Sequence, residues 1–593
     1  MENGENHFQS SKPHSSKTSW SSQKINKMSR EEKSSTAINA NDTVSNVFRK
    51  DRQCTDVAAL VIMAIYMFGL LILVFLCLPN SDVFRVIYGY DDCGNVCGRK
   101  NTRIADLACS GQNMLPYKYL LLTINPASSE ATKSCVEKCP TSEGYKLFFN
   151  RCIRLQISRA KADRLPQSLL DEVWQDVHSC GLELFLLCLL CLLVSLVVLS
   201  VLWCIPGLML PCMLLVIVVA CLVTSFVHWL NWKLKSDADN RKGYLISAVI
   251  FTVLSIIIFC FAGYIWKKIQ FVTELLQEGG NAIRQTLLLL LYPVLTTISL
   301  LITYALGLYF FLIIESTARP TVIGGSVEFV KNPLVHTARW YNLVALIWFN
   351  SFLVDCQHMV TAGAISAWYF TQDKSRLGNI TGRSFLTLLT YHLGSVALGS
   401  LILTITALAL AVVKMFQKLV IQTKNGYLVC IAFICMCFLN CIRSVLELIQ
   451  RNAYIIVAMQ GLSLFKADKS AMKLMATDAI NFVVVNSVTK IVFLMAELFV
   501  LLLVGSISVV ILQRQKDLYH PYILAGMLIV TVSVITHCFM AVCEMTVATV
   551  FLCFLKDIEL NNGTDRPYYM SRNLRKFLPN EVQPETVRQT AIP

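Results

Sequence analysis

Ionisable and polar side chains interrupt several apolar segments that are long enough to cross a membrane. Asp355, Gln357 and His358 lie in one such segment, and Glu497 and Glu544 lie in two later ones. A charged group within a membrane-spanning helix is costly, and it usually faces a cavity, a partner side chain or a substrate path. These residues are therefore the first candidates for a binding site.

Helical periodicity sorts the polar residues around Asp355 into two stripes. At about 100° per residue, Gln357 and Thr361 share one stripe with Ala364 and Trp368, and Asp355 and His358 share another with Ala362 and Tyr369. One stripe would line a substrate path while the other packs on a neighbouring helix. Packing alone explains either stripe equally well.

Glu544 has no Lys or Arg within one helical turn in the sequence. A carboxylate left alone in an apolar span favours the arrival of a cation, which makes Glu544 a candidate counter-charge for a cationic substrate. His537 lies seven residues earlier on the same face and would share or relay a proton. Glu497, with Asn486 and Lys490 on its helix face, is the alternative acid, and a plain hydrogen bond from Glu544 to a neighbouring helix remains open.

Composition sets the class of protein that must position these groups. Of the 593 residues, 55% are hydrophobic and only 15% are charged, and apolar runs repeatedly approach 20 residues. The sequence thus predicts an all-α polytopic membrane protein with about ten transmembrane helices. The net charge of +14 resides largely in tails and short connections, where it acts as an orientation signal, so nucleic-acid binding is excluded.

Charge and hydropathy divide the chain into five parts. We predict a disordered cytoplasmic tail over 1–56, a first transmembrane helix over 57–78, an extracellular loop over 79–183, a helical bundle over 184–555 and a cytoplasmic tail over 556–593. Arg49, Lys50 and Arg52 precede the first span, which places the N-terminus in the cytosol.

The large loop is predicted to contain disulfide bonds, because it faces an oxidising compartment. Its seven cysteines are Cys93, Cys97, Cys109, Cys135, Cys139, Cys152 and Cys180. An odd number leaves one unpaired, and Cys180, at the mouth of the membrane, is the candidate. The alternative of a metal site at the two C-x3-C pairs finds little support in their spacing, and no histidine lies close to them in the sequence.

Two regions of the bundle leave their topology open. Segments at 385–413, 427–442 and 453–465 put Lys414, Lys418 and Lys424 outside by simple alternation, against the positive-inside rule, unless one segment is re-entrant or interfacial. Tyr292-Pro293 falls in the first third of the span predicted at 286–314, where proline predicts a kink and makes the pair a hinge candidate. A kink without function is the alternative.

Six motifs along the chain resemble the choline transporter-like family (solute carrier family 44). They are D-D-C-G-N-V-C-G-R-K-N (91–101), L-L-Y-P-V-L-T (290–296), C-Q-H-M-V-T-A-G-A-I-S-A-W-Y-F (356–370), Y-H-L-G-S-V-A-L-G-S (391–400), R-N-A-Y-I-I-V-A-M-Q-G (451–461) and V-F-L-C-F-L-K-D-I-E-L-N-N-G-T-D-R-P-Y-Y-M-S (550–571). The resemblance implies a ten-span transporter of choline, with ethanolamine as a second substrate, in the plasma membrane or an organellar membrane, with both termini cytoplasmic.

A quaternary ammonium donates no hydrogen bond, so its recognition requires aromatic faces and a negative charge. Within or near the matched motifs, Trp368, Tyr369, Tyr391 and Tyr454 are the candidate aromatic walls. Gln357 or Thr361 would hold the substrate hydroxyl, and Glu544 or Glu497 would supply the charge. An aromatic belt at the membrane interfaces is the competing interpretation of the Trp and Tyr residues.

Two positions depart from the pattern of the family. The segment at 464–468 reads L-F-K-A-D where the family usually has a Phe-Cys-x-Ser-Ala run, and Ala548 stands where the family usually carries an Asp. Both departures bear on substrate range. Ala548 also follows Glu544 by one helical turn, so Glu544 would act without a second acid.

The motifs of enzymes are missing from the sequence. It contains no G-x-S-x-G, H-E-x-x-H or P-loop pattern, and we expect neither an enzyme nor a cofactor or metal. The competing class is a non-transporting receptor or scaffold that displays the Cys-rich loop.

Overall fold

A computed structural model gives the arrangement of the chain. It describes residue 48 and residues 52–104, 108–124, 131–140, 145–148, 150–154, 176–234, 238–266, 268–323, 326–422, 426–515, 518, 521–563 and 566–578. The predicted N-terminal tail at 1–56 therefore lies largely outside the described residues, and the predicted C-terminal tail at 556–593 lies outside them beyond residue 578.

Fourteen α-helices are present among the described residues, and ten segments of the chain are long and apolar enough to cross a membrane. Numbered in chain order, the helices are α1 (Val57–Cys77), α2 (Val83–Tyr88), α3 (Gly181–Cys204), α4 (Pro206–Leu234), α5 (Ala238–Trp266), α6 (Ile269–Gln285), α7 (Leu291–Ser316), α8 (Pro333–Tyr369), α9 (Ile380–Thr387), α10 (Leu393–Gln422), α11 (Gly426–Gln460), α12 (Leu464–Thr477), α13 (Ala479–Arg514) and α14 (Pro521–Leu560). The predicted all-α bundle of about ten spans is confirmed.

The Cys-rich loop between the first two spans forms a small domain with its own sheet. Strands β1 (Tyr119–Ile124), β2 (Ala131–Val136), β3 (Tyr145–Phe148) and β4 (Arg151–Arg154) pair in the order β2-β1-β4-β3. Disulfides join Cys93 to Cys109, Cys97 to Cys135 and Cys139 to Cys152, and Cys180 is free. The prediction of a disulfide-containing loop is confirmed, and the bonds leave no thiolate at the C-x3-C pairs for a metal.

A hairpin between the fifth and sixth spans completes this domain. Its strands are β5 (Arg319–Ile323) and β6 (Ser326–Val330), and the Val327 amide donates a hydrogen bond to the Asp92 carbonyl at 2.7 Å. The Arg85 side chain donates to the Ser316 carbonyl, and its guanidinium lies 3.9 Å from the centroid of the Phe329 ring. Connections that are far apart in sequence thus meet at one end of the bundle.

The short span predicted at 453–465 is wrong. Residues 426–460 form one helix, α11, and a chain reversal follows at Gly461, whose φ of +64° is readily available to glycine. The polar residues Gln450, Arg451 and Asn452 are buried within this helix. Alternation of ten spans still puts the ends of α10 and α11 near Lys414 and Lys418 on the side of the Cys-rich loop.

Pro293 lies closer to the start of its helix than the sequence predicted. A 3-10 turn over Leu287–Leu290 precedes α7, which begins at Leu291, so Pro293 occupies the first α-helical turn. Amide groups there have no partner within the helix, and proline is tolerated. A π-helical turn at Leu388–His392, between α9 and α10, interrupts the regular α-helical backbone.

The opposite end of the bundle is closed by amphipathic helices and by both ends of the described chain. Buried residues of α6 include Leu275, Leu276 and Ile283, and the ring centroid of Phe577, from the C-terminal segment, lies 5.2 Å from that of Phe271 of the same helix. Near the other terminus, the ring of Phe48 lies 6.1 Å from that of Phe370. The N- and C-terminal segments therefore lie on the same side of the bundle.

Candidate functional site

A buried carboxylate, Asp355, is the centre of a polar network between α8 and α11. The Tyr454 hydroxyl lies 3.0 Å from its Oδ2 atom, and the Gln450 amide nitrogen lies 2.9 Å from the same atom. His358 Nδ1 is 3.6 Å from the other oxygen. Because Asp355 is only 4% exposed, the hydrogen bonds from Tyr454 and Gln450 replace the water that an ionised carboxylate would otherwise need.

Helical spacing and one glycine bring this network together. Asp355 and His358 lie three residues apart on α8, and Gln450 and Tyr454 lie four apart on α11, so each pair shares a helix face. On α10, a Cβ atom at Gly399 would collide with the Tyr454 hydroxyl and the Gln450 amide. The absence of a side chain at Gly399 therefore lets α10 approach α11 closely, and this contact positions the donors of Asp355.

A second set of charges lies beside the first, between α11, α13 and α14. Arg451 Nη1 is 2.6 Å from Glu544 Oε1, and Arg451 Nη2 donates to Asn486 Oδ1 at 3.4 Å. His537 Nδ1 lies 3.5 Å from Glu497 Oε2. The structure thus corrects two expectations: Glu544 has a cationic partner, and the ion-pair partner of His537 is Glu497. The partner of Glu544 comes from a helix 93 residues away in the sequence, so local spacing could not reveal it.

Two adjoining cavities lie next to the Arg451–Glu544 pair. The larger, of about 150 Å³, lies between α11 and α13 and is lined by Ser444, Val445, Glu447, Leu448, Arg451, Asn486 and Lys490. The smaller, of about 20 Å³, reaches Glu544, Ala548 and the rings of Phe482 and Phe551. Charges in membrane-spanning segments require water, counter-charges or a polar ligand. The two cavities form a polar compartment that opens to the surface of the bundle beside Val445 and Lys490, which are exposed.

Most of the predicted aromatic cage does not assemble. Trp368 donates from Nε1 to Gln285 Oε1 at 2.7 Å, and the ammonium of Lys374 lies 4.1 Å from its ring centroid. Tyr369 donates to Asp557 Oδ2 at 3.3 Å, and Tyr391 is 38% exposed on the π-helical turn. These three rings lie towards the closed end of the bundle and serve other contacts. Only Tyr454 joins the central network.

Gln357 and Thr361 are likewise engaged within the helices. The Gln357 side-chain amide donates to the Cys538 carbonyl at 2.9 Å, and the Thr361 hydroxyl donates to the Gln357 carbonyl at 2.8 Å. Both side chains are fully buried. Gln357 thus links α8 to α14, whereas Thr361 bonds within its own helix.

Several residues at the site were missed by sequence reasoning. Gln450 and Arg451 stand beside the R-N-A-Y motif, and their polarity within an apolar stretch was the available signal. Phe482 and Phe551, whose ring centroids are 6.2 Å apart, carried no signal, because any apolar span contains phenylalanine. Ala548, which the sequence analysis singled out, lines the smaller cavity.

Comparison with known proteins supports one family. The family model described as plasma-membrane choline transporter matches residues 249–559, which is more than half of the chain and includes both cavities. Choline transporter-like protein 1 of Torpedo marmorata is 26% identical, with 89% of this chain and 93% of that protein covered. Choline transporter-like protein 3 of Bos taurus is 27% identical, with coverages of 89% and 92%. Choline transporter-like protein 2 of Dictyostelium discoideum is 24% identical, with coverages of 89% and 95%. With its ten candidate spans and Cys-rich loop, the chain belongs to the choline transporter-like family of membrane proteins.

Proposed function

We propose that this protein carries choline across the membrane by alternating access and binds it in the compartment beside the Arg451–Glu544 pair. The observation that carries the proposal is a charged cavity at the depth of the bilayer, in a chain whose relatives are named for choline transport. A receptor or scaffold that displays the Cys-rich loop would need no such cavity. Ethanolamine is the expected second substrate, since it shares the cationic head and the hydroxyl.

The compartment offers the groups that choline needs. Glu447 and Glu544 supply negative charge, and Phe482 and Phe551 supply aromatic faces, each of which contributes about 0.5–2 kcal/mol to cation binding. The Asn486 amide would bind the substrate hydroxyl. Arg451 must share Glu544 with the substrate, so substrate entry would weaken the Arg451–Glu544 contact.

The roles predicted for Gln357, Thr361, Trp368, Tyr369, Tyr391, Tyr454, Glu497 and His537 in substrate binding stay predictions. Among them, Tyr454 has the best support. It lies on α11, the helix that carries Arg451, and its hydroxyl donates to Asp355 of α8. We also keep as proposals the hinge role of Tyr292 and Pro293, the domain bounds, the plasma-membrane location and the cytoplasmic position of both termini. Alternation from a cytosolic N-terminus would put the basic connections at 267–286 and 461–478 in the cytosol.

Uptake of radiolabelled choline into proteoliposomes tests the proposal. We expect uptake above that of empty liposomes, and a raised KM in Glu447→Gln, which removes one charge from the larger cavity. The matched control is Glu328→Gln, since Glu328 is exposed on β6, far from the cavity. Absence of uptake by the wild type would refute the transport function, and equal KM values for the two variants would refute this location.

A further inference from the structure

A short segment before the first span is bound into the closed end of the bundle. We define this segment, Arg52–Asp56, as the strap. Arg52 Nη2 donates to the Ala458 carbonyl at 2.7 Å, and the Thr55 amide donates to the Tyr391 carbonyl at 2.9 Å. Asp56 Oδ2 accepts from the Ser395 hydroxyl at 2.6 Å and from the Leu464 amide at 2.8 Å. The strap therefore ties together the end of α11, the start of α10 and the start of α12.

His392, which is fully buried, holds the middle of the strap. Its Nε2 atom lies 3.2 Å from Arg52 Nη1, and its Nδ1 atom lies 3.0 Å from Thr55 Oγ1. Arginine can only donate, so Nε2 accepts and the Nδ1 hydrogen points to Thr55. The strap is thus bound in one register by directed polar contacts.

The seat of the strap depends on one glycine. A Cβ atom at Gly394 would collide with the carbonyl oxygens of Thr55 and Asp56. Asp56 itself has φ +52°, a left-handed conformation that costs a non-glycine residue about 1–2 kcal/mol. The contacts of the bound strap offset this cost, and Asp56 could return to an ordinary backbone conformation when the strap detaches.

The strap and the Asp355 network contact the same helix, α10. Gly394 and Ser395 contact the strap, and Gly399, about one turn further along α10, contacts Tyr454 and Gln450 of the Asp355 network. The π-helical turn that precedes α10 is the kind of irregularity that often marks functional sites. A shift of α10 would therefore disturb both its contacts with the strap and its contacts with the Asp355 network.

We infer that the strap is a latch of the inner gate: it holds α10 against α11 and α12, and it must leave its seat before substrate can exit at this end. The inference rests on the proposed transport function. It assigns gating roles to Arg52, Asp56 and Gly394, and none of these three residues lines the cavities. Polar contacts suit a latch, because water replaces them at a small net cost when the strap detaches.

Reversible crosslinking tests the latch. Cys54 is exposed and its Sγ atom lies 3.4 Å from the Thr390 carbonyl, so Thr390→Cys supplies a partner for a short, reducible thiosulfonate crosslinker. We expect the crosslinked protein to lose choline uptake and to regain it on reduction. Thr390→Cys combined with Cys54→Ser, treated identically, is the control. Full uptake by crosslinked protein would overturn the latch.

A second measurement does not depend on transport. The buried Cys553 Sγ lies 4.0 Å from Met459 Sδ, beside the site where Arg52 binds α11, and peptide-resolved maleimide labelling reports its accessibility. Gly394→Ala should raise this labelling rate by about tenfold, the equivalent of one charge-assisted hydrogen bond. Gly526→Ala, where a Cβ meets open space, should not. Absence of choline uptake by the wild type would refute the transport function. Equal labelling rates of Cys553 in Gly394→Ala and Gly526→Ala would refute the latch, whatever the uptake assay shows.

Discussion

The ion pair between Arg451 and Glu544 gives the sharpest test of the central site. Their side chains are only 9% and 20% exposed, and they meet at 2.6 Å. Removing one partner of a buried pair typically costs about 3–5 kcal/mol, because the other charge is left without compensation. We place Glu544→Gln near the lower end, since the amide still accepts a hydrogen bond from Arg451.

A double-mutant cycle separates this pairing from a general loss of packing. Arg451→Gln should cost about as much as Glu544→Gln, because it leaves a buried carboxylate. The combination of both should cost only about 1 kcal/mol, since two neutral amides can bond to each other. Reversible unfolding in mixed micelles of rising denaturing-detergent content measures these free energies.

The cycle has a defined negative outcome. A free energy of unfolding for Glu544→Gln within about 0.5 kcal/mol of wild type, as for a surface substitution, would show that the pair is not formed in the membrane. Additive losses in the double variant would also refute the pairing. Choline at saturating concentration adds a second readout: it should stabilise the wild type more than Glu544→Gln if the substrate shares this carboxylate.

Three further predictions follow from other parts of the structure. Tyr454→Phe should lower the free energy of unfolding by about 1.5–3 kcal/mol, because it removes a hydrogen bond to a buried carboxylate, whereas Tyr304→Phe, on an exposed face of α7, should have little effect in the same assay. Alkylation under denaturing, non-reducing conditions should modify Cys180 and spare the other six loop cysteines; modification of all seven would contradict the disulfides. Burial and the nearby Asp56 raise the pKa of Asp468 to about 6, so the folded protein binds this proton more tightly than the unfolded chain, and the contribution of Asp468 to stability should fall as pH rises from about 4 to 6. Asp468→Asn should flatten the dependence of stability on pH over that range. An unchanged dependence would contradict the raised pKa.

The sequence predicted the bundle well, because long apolar segments have few structural alternatives in a membrane. The first span, predicted at 57–78, is observed at Val57–Cys77, and the odd cysteine of the loop was identified as Cys180. Both inferences depend on local composition and on counting. By contrast, the sequence predicted two segments, 427–442 and 453–465, where the structure has the single helix α11, because composition alone does not show that neighbouring helices satisfy the polar side chains between them.

The site was harder to predict, since its contacts join helices that are distant in the sequence. Glu544 was predicted to stand without a nearby cation, and its partner Arg451 could not be assigned from helical spacing, because Arg451 lies on another helix. Trp368 has the aromatic face that a cation prefers, and in the structure that cation is Lys374. Residue type thus indicated the kind of interaction, while the tertiary arrangement decided with which group it forms.

The docking of the Cys-rich domain onto the β5–β6 hairpin has a consequence for biosynthesis. Arg85 belongs to the first loop, yet its acceptor at Ser316 lies 231 residues later, and Phe329 later still. At about 5–20 residues per second, the ribosome needs about 10–50 s to supply that acceptor. All three disulfides can close earlier, since their cysteines lie within 93–152. The loop domain must therefore wait, oxidised but with Arg85 unpartnered, until four more spans have been inserted, and during this interval lumenal chaperones have access to a surface that the mature protein covers.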